Sequence, residues 1–400
     1  MLRFKGIALV VLFFVPAVVF RLAGIHSSSW ISLMIFGAGV VAASFLLAWA
    51  AEAAQLDISG GLAIAVLALI AVLPEYAIDL YFAYTAGSDP AYVAYAAANM
   101  TGSNRLLMGL GWPVVVLIGL MVAKRQGNPI KALVLEPETR VELGFLLIAG
   151  VIAFVAPITG TISLFLGFVM ISWFIYYLVR MSRQGVEDPT LIGTAAVIGA
   201  FPQRTRRITV VAMFLSAAIV ILLCAQPFAE SLLDTGKDLG IDEFLLVQWL
   251  APLASEAPEF IVAILFATRG NAQAAIGTLI SSKINQWTLL IGSIPIAYAI
   301  GGGGFGGIVL DERQFEEILL SATQTLMGVA ILLALRFPRW GAWTLLGLFA
   351  VQFAIVDTNG RLLLCGLYSV IALVAMILHR REILPTFAAP FRSPIEVTAR

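Results

Sequence analysis

The sequence contains little charge, only two cysteines and only two histidines. Charged residues make up 12% of its 400 residues, and hydrophobic residues make up 60%. Water-soluble domains do not have this balance. Cys224 and Cys365 lie in apolar runs, so no disulfide framework or metal motif is indicated. His26 and His379 are far apart, which argues against a haem or zinc site. We expect no cofactor, and the equal numbers of basic and acidic residues, 24 each, give no sign of a nucleic-acid partner.

The long apolar segments predict an all-α membrane protein with about twelve transmembrane helices. The predicted spans are 7–24, 30–51, 59–86, 91–122, 142–157, 160–181, 207–229, 243–268, 272–299, 315–336, 340–356 and 361–379. Most of the Lys and Arg residues fall in the loops on one side of these spans. By the positive-inside rule, both termini are expected to be cytoplasmic, in an inner or plasma membrane.

The loops on the opposite side are predicted to be acidic, and this side includes Glu316 and Glu317. Its few basic residues are Arg21, Lys237, Arg313 and Arg361. The polar tail from Arg380 onward contains several prolines and is predicted to be loose.

A proline followed by a glutamate occurs inside an apolar span in each half of the chain. Pro74-Glu75 lies in a span that runs outward, and Pro258-Glu259 lies in a span that runs inward. Similar segments in opposite orientation are typical of inverted-repeat transporters, whose site lies at the middle of the membrane. The predicted organisation is an extra helix in 1–29, a first repeat in 30–181, a basic cytoplasmic linker in 182–206, a second repeat in 207–356, and an extra helix with a polar tail in 357–400.

The prolines and glutamates together suggest a cation site. Pro74 cannot donate a hydrogen bond to the Ile70 carbonyl, nor Pro258 to that of Ala254, so these carbonyls are candidate ligands. Glu75 and Glu259 are the predicted metal ligands, because hard cations need several oxygen atoms. The alternative is a kinked helix with a protonated or paired glutamate, although a charge at this depth costs about 3 kcal/mol.

Further polar residues lie near these two segments. Glu256 shares a helix face with Glu259, and Ser255 precedes it. The following helix of each repeat adds predicted ligands or supporting residues, with helix packing as the alternative: Ser103, Asn104, Ser282, Asn285 and Gln286.

Three charged residues within the spans are predicted to compensate charge. Arg105 and Lys283 lie too deep to reach the membrane surface, so each is expected to pair with a carboxylate. Asp79 either pairs with Arg105 or lines an outer vestibule. Lys283 is either a tethered cation that leaves when a transported ion binds, or the partner of a static salt bridge with Glu256 or Asp79.

These motifs resemble those of the calcium/cation antiporter superfamily, which has the fold of Na+/Ca2+ exchangers. Leu73-Pro74-Glu75 and Gly102-Ser103-Asn104 match the family's first repeat, and Ala257-Pro258-Glu259 with Ser281-Ser282 matches the second more loosely. The resemblance implies a ten-helix core of two inverted five-helix repeats, with Glu75 and Glu259 as central ligands. The chain differs from the family pattern at Ala71 and Val72, which replace two hydroxyl residues, and at Lys283, which replaces an asparagine.

The resulting hypothesis is a secondary antiporter, not an enzyme, that exchanges Ca2+ or Na+ against Na+ or H+ by alternating access. An alternative is an Na+/H+ exchanger that does not carry Ca2+ and uses Lys283 as a tethered cation. A channel is less favoured, since it would want a continuous polar stripe, and no sequence motif supports an intramembrane enzyme. The expected partners are the transported cations and the lipid bilayer, with the chain as a monomer or homodimer.

Overall fold

The computed structural model describes residues 5–57, 72–183, 191–355 and 357–392, and these residues are almost entirely helical. The helices are α1 Lys5–Leu22, α2 Ser29–Ala54, α3 Leu73–Ala86, α4 Tyr92–Leu106, α5 Trp112–Arg125, α6 Thr139–Ile152, α7 Val155–Thr159, α8 Leu164–Met181, α9 Gly193–Gly199, α10 Gln203–Leu239, α11 Glu243–Thr268, α12 Ala272–Asn285, α13 Ile291–Tyr298, α14 Glu312–Leu332, α15 Arg339–Val351, α16 Thr358–Leu378 and α17 Arg380–Ala388.

Eight of these helical segments are long and apolar enough to cross a membrane, which confirms an all-α membrane protein. They are Ser29–Ala54, Tyr92–Arg125, Thr139–Thr159, Leu164–Met181, Gln203–Leu239, Glu243–Thr268, Glu312–Leu332 and Thr358–Leu378. The other four predicted spans also contain helix. They differ because the apolar segment in α1 is only Gly6–Leu22, α3 is described only from Leu73, and α12 and α15 have 14 and 13 residues.

Short π-helical segments follow α4 and α12 at similar points in the two halves of the chain. Leu107–Gly111 joins α4 to α5, and Gln286–Leu290 joins α12 to α13. A third, Ala299–Gly303, follows α13. Such widened turns are common at functional sites, because the extra residue changes which side chains face the same way. Here they come directly after the polar residues of α4 and α12.

Two pairs of very short antiparallel strands join loops. Strand β1 (Ala132–Val134) pairs with β4 (Arg336–Pro338), and β2 (Thr161–Ile162) pairs with β3 (Ile308–Val309). These pairings satisfy backbone groups where the chain leaves its helices.

The chain forms two compact units, and each takes one stretch from each half of the sequence. Unit 1 contains residues 1–82 and 178–258. In it, α2 packs along the 37-residue helix α10, and α1 packs on α2. Small residues allow α2 and α10 to approach closely, because a Cβ at Gly37 would lie only 3.0 Å from the ring of Phe228.

Unit 2 contains residues 83–177 and 259–400. Helix α14 lies at its centre, packed against α16, α4 and α6. Most of α14 is buried within the protein, although it is the least hydrophobic of the eight spans. Its polar side chains must therefore find partners inside the unit.

The prediction of a loose tail is wrong for residues 380–392. Helix α17 and the turn Ala389–Phe391 pack on α6. Tyr176 Oη donates to the Pro390 carbonyl at 2.8 Å, and Arg140 pairs with Glu382 at 2.7 Å. The polar sequence of this segment predicted that it is exposed to solvent, but its polar groups bind Tyr176 and Arg140 instead.

Candidate functional site

The acidic residues of α3 are buried in unit 1. Helix α3 begins at Leu73, so Pro74 lies in its first turn, where a missing N–H removes no helical bond. Glu75 and Asp79 are 4% and 0% exposed, and their spacing places them on one helix face. Ile70 lies outside the described residues, so its proposed role as a carbonyl ligand remains a prediction.

Helix α11 carries the second acidic segment without a break. It runs from Glu243 to Thr268 and includes Pro252 and Pro258. Each proline removes one backbone bond, and the turns on either side maintain the helix. The Ala254 carbonyl lacks an N–H partner at Pro258 and remains a predicted ligand.

Glu256 and Glu259 of α11 differ in burial. Ser255 and Glu256 belong to unit 1 and are 7% and 2% exposed. The Ser255 hydroxyl donates to backbone carbonyls of its own helix. Glu259 belongs to unit 2 and is partly exposed. Its Oε2 accepts a 2.6 Å hydrogen bond from Ser282 of α12.

Lys283 is buried in unit 2 and contacts α4. Its Nζ donates to the carbonyl and to Oδ1 of Asn104, at 2.9 and 2.8 Å, and lies 4.7 Å from the centre of the Trp287 ring. These partners are neutral oxygens and an aromatic ring, and the expected pairing of Lys283 with a carboxylate remains a prediction. The ammonium group of Lys283 is thus bound to the side-chain oxygen of Asn104, which is itself a predicted cation ligand.

Arg105 forms an ion pair with the Glu317 carboxylate and donates a hydrogen bond to Gln352 Oε1 at 3.3 Å. The same Glu317 accepts from Arg361 Nη1 at 2.8 Å, and Glu316 lies 3.8 Å from that nitrogen. The sequence counted Glu316, Glu317 and Arg361 with the charges of the outer loops, whereas the structure buries all three in helices of unit 2. We call these four charged residues the buried ion network; its members are Arg105, Glu316, Glu317 and Arg361.

A local signal could have located part of this network. Asp311 and Gln314 form a capping box, so α14 begins at Glu312 and includes both glutamates in its early turns. Hydropathy placed the start of the span at residue 315, because charges lower the average. The partner Arg361 is one turn inside α16, which Asp357 caps.

The remaining predicted ligands are buried in unit 2. Ser103, Asn285 and Gln286 are 0%, 6% and 1% exposed. The Ser103 hydroxyl donates to carbonyls of its own helix, as expected for helix packing. Asn99, one turn earlier, is 1% exposed, and its amide has no hydrogen-bond partner among the described residues. A buried amide without a partner is unusual, so Asn99 joins the candidate ligands.

A surface ion pair fixes the ends of two helices in unit 1. Arg206 at the start of α10 donates to Asp57 after α2, at 2.7 and 2.9 Å, and Arg207 donates to the same carboxylate. The hydrogen bond from Arg206 lowers the pKa of Asp57 to about 2. Arg206 also donates to the carbonyls of Gly199 and Phe201, so it holds the preceding turn.

Within the part of the chain that the structure describes, no three His, Cys, Asp or Glu side chains come close enough to hold a metal ion. The predicted carboxylates are instead spread over separate helices. A transported cation would be a substrate, which has to bind and leave.

The chain matches a known protein family twice. The family model described as sodium/calcium exchanger protein matches residues 27–183 and 209–356. No curated protein matches the chain significantly.

Solved structures show the same fold. The crystal structure of an H+/Ca2+ exchanger, CAX, is 41% identical over 97% of each chain, with a TM-score of 0.91. The Ca2+/H+ antiporter YfkE is 15% identical over 91% of this chain and 99% of its own, with a TM-score of 0.62. A structure of the sodium-calcium exchanger NCX_Mj is 18% identical over 82% and 98%, with a TM-score of 0.53.

Proposed function

The chain belongs to the sodium/calcium exchanger family, and from this premise we propose that it exchanges Ca2+ against H+ across the membrane. Members of this family are cation exchangers in membranes, and the general function follows from membership. The choice of Ca2+ and H+ is supported by the 41% identity to an H+/Ca2+ exchanger.

The observation that carries the proposal is the set of buried carboxyl side chains in unit 1. Glu75, Asp79 and Glu256 are each at most 4% exposed. Carboxyl groups in such surroundings bind either a proton or a cation, because an isolated negative charge is strongly disfavoured. Two released protons balance the charge of one Ca2+, so the same groups can serve both ions in turn.

The surroundings of Lys283 argue against a site for several Na+ ions. Its ammonium group already occupies Oδ1 of Asn104. Val72, in the place of a family hydroxyl, offers no oxygen ligand. Fewer neutral ligands and a fixed positive charge both reduce the number of cations that the site can hold.

We assign Glu75 and Glu259 as metal ligands and Glu256 as an equal candidate. Glu256 is the more buried glutamate of α11, whereas Glu259 is held by Ser282. The double match of the family model supports two repeats close to the predicted 30–181 and 207–356.

A second candidate is Na+/H+ exchange with Lys283 as a tethered cation, favoured by the two bonds of its Nζ to Asn104. Here Na+ would replace the ammonium group on the Asn104 oxygens. The two candidates differ in the ion that is moved by a proton gradient.

Transport assays on the purified protein in liposomes test both candidates. An imposed pH gradient should drive uptake of radioactive calcium, and Glu75→Gln and Glu256→Gln should each lower this rate roughly 100-fold or more, since changes around metal sites cost at least 10- to 100-fold. Glu138→Gln, an exposed residue before α6, is the matched control. Uptake of radioactive sodium without calcium uptake would replace the proposal by the second candidate. If Glu259→Gln abolishes transport and Glu256→Gln does not, the ligand of α11 is Glu259.

A further inference from the structure

Glu142 is an acidic residue that belongs neither to the predicted ion ligands nor to the buried ion network. It is in the first turn of α6, partly buried, and the Tyr177 hydroxyl of α8 donates to its Oε1 at 3.2 Å. The same hydroxyl lies 2.8 Å from Ser281 Oγ of α12. These three residues form a continuous hydrogen-bonded line across three helices of unit 2.

Several charged groups lie on the helices around Glu142. The elements packed against α6 are α8, α12, α14, α17 and the turns at 286–290 and 389–391. Of their titratable groups and those of α6 itself, Arg140 contacts Glu382, Lys283 contacts Asn104, Glu316 and Glu317 contact Arg361, and Tyr176 contacts the Pro390 carbonyl. Arg180 of α8, three residues after Tyr177, is a further buried charge, 5% exposed. The other charged residues of α14 and α17 are Glu312, Arg313, Arg380 and Arg381. Among the described residues, Glu142 has one hydrogen-bond partner, Tyr177, and no ion pair.

The line ends beside the candidate cation site. Ser281 is followed in α12 by Ser282, which donates to Glu259. Tyr177 is only 4% exposed, whereas Glu142 and Ser281 on either side of it are partly exposed. A buried hydroxyl thus connects two more accessible groups.

We propose that Glu142, Tyr177 and Ser281 conduct the protons that are exchanged for the cation; this rests on the proposed function. The Tyr177 O–H bond breaks as an O–H bond forms on the Glu142 carboxylate. Tyr177 then takes the proton of Ser281, and Ser281 takes one from a hydronium ion, which becomes water. One proton has moved to Glu142, and both hydroxyls are restored. The reverse sequence moves a proton the other way.

Two transport assays in the same liposomes test this role. Exchange of Ca2+ against H+ needs the line, but exchange of radioactive Ca2+ against unlabelled Ca2+ moves no net proton. Glu142→Gln and Tyr177→Phe should slow the first, measured with a pH-sensitive dye, by about tenfold or more, in the range of effects of single proton-transfer groups. The second should stay within about twofold.

Controls and a pH profile complete the test. Glu138→Gln and Tyr176→Phe, which remove comparable groups outside the line, should leave both rates unchanged. The pH dependence of calcium-proton exchange should differ between Glu142→Gln and wild type, whereas Glu138→Gln should keep the wild-type profile. Equal loss of both exchanges in Glu142→Gln, or no loss of either, would overturn the proposed line. Wild-type protein that performs neither exchange would instead overturn the proposed function.

Discussion

Replacing Glu317 by glutamine leaves two guanidinium groups near one carboxylate inside the protein. Glu317 contacts both Arg105 and Arg361, whereas Glu316 lies 3.8 Å from Arg361. The four side chains are 2%, 3%, 1% and 8% exposed, in the order Arg105, Glu316, Glu317 and Arg361. The wild-type network is neutral, with two positive and two negative charges, and Glu317→Gln gives it a net positive charge.

Breaking one partner of a buried ion pair costs about 3 to 5 kcal/mol, since the remaining charge is left uncompensated. We therefore expect Glu317→Gln and Arg105→Gln each to destabilise the protein by about that amount. The double variant Arg105→Gln/Glu317→Gln is neutral again and keeps the pair of Arg361 with Glu316. The stability that the double variant loses should be smaller than the sum of the two single losses by at least about 2 kcal/mol.

The assay is thermal unfolding in detergent, followed by the exposure of Cys224 and Cys365, both buried in the fold. Arg207→Gln is the matched control, because this arginine is 57% exposed and its ion pair with Asp57 should contribute at most about 1 kcal/mol. Additive losses in the double variant would refute the network as a coupled unit. Single losses no larger than that of Arg207→Gln would refute the burial argument.

The remaining predictions concern Lys283 and Asp57. Lys283→Ala frees the Asn104 oxygens, so it should change the ion stoichiometry or the pH dependence of transport. The stoichiometry is measured in liposomes as the ratio of transported protons to calcium ions. A lower transport rate with this ratio and the pH profile unchanged would favour a static contact. The pKa of Asp57 is lowered to about 2, so its ion pair should stabilise the fold above its ordinary pKa of about 4 and lose this contribution as the pH falls toward 2. The unfolding midpoint of wild type should therefore exceed that of Asp57→Asn above about pH 5 and converge with it near pH 2, whereas a constant difference would contradict the assignment.

Much of the fold could be predicted from the sequence because a bilayer imposes a fixed length and satisfies no backbone group. Every predicted span therefore contains helix in the part of the chain described. The family was predicted from the resemblance of Pro74-Glu75, Pro258-Glu259 and Ser103-Asn104 to its motifs, and carboxylates stood out there because they are costly in apolar helices. The notable errors were the acidic start of α14 and the docked tail, where polarity was taken as a sign of solvent.

What the sequence determined by itself is thus the set of membrane helices and the polar positions within them. Only the tertiary structure decided which polar groups meet. Lys283 reaches Asn104 across 179 residues and Arg105 reaches Gln352 across 247, and Glu142 is connected to Ser281 only because α6, α8 and α12 pack together. Periodicity and hydropathy act over one helix, whereas the partner of a buried charge depends on which helices are neighbours. That choice is made by packing over the whole unit.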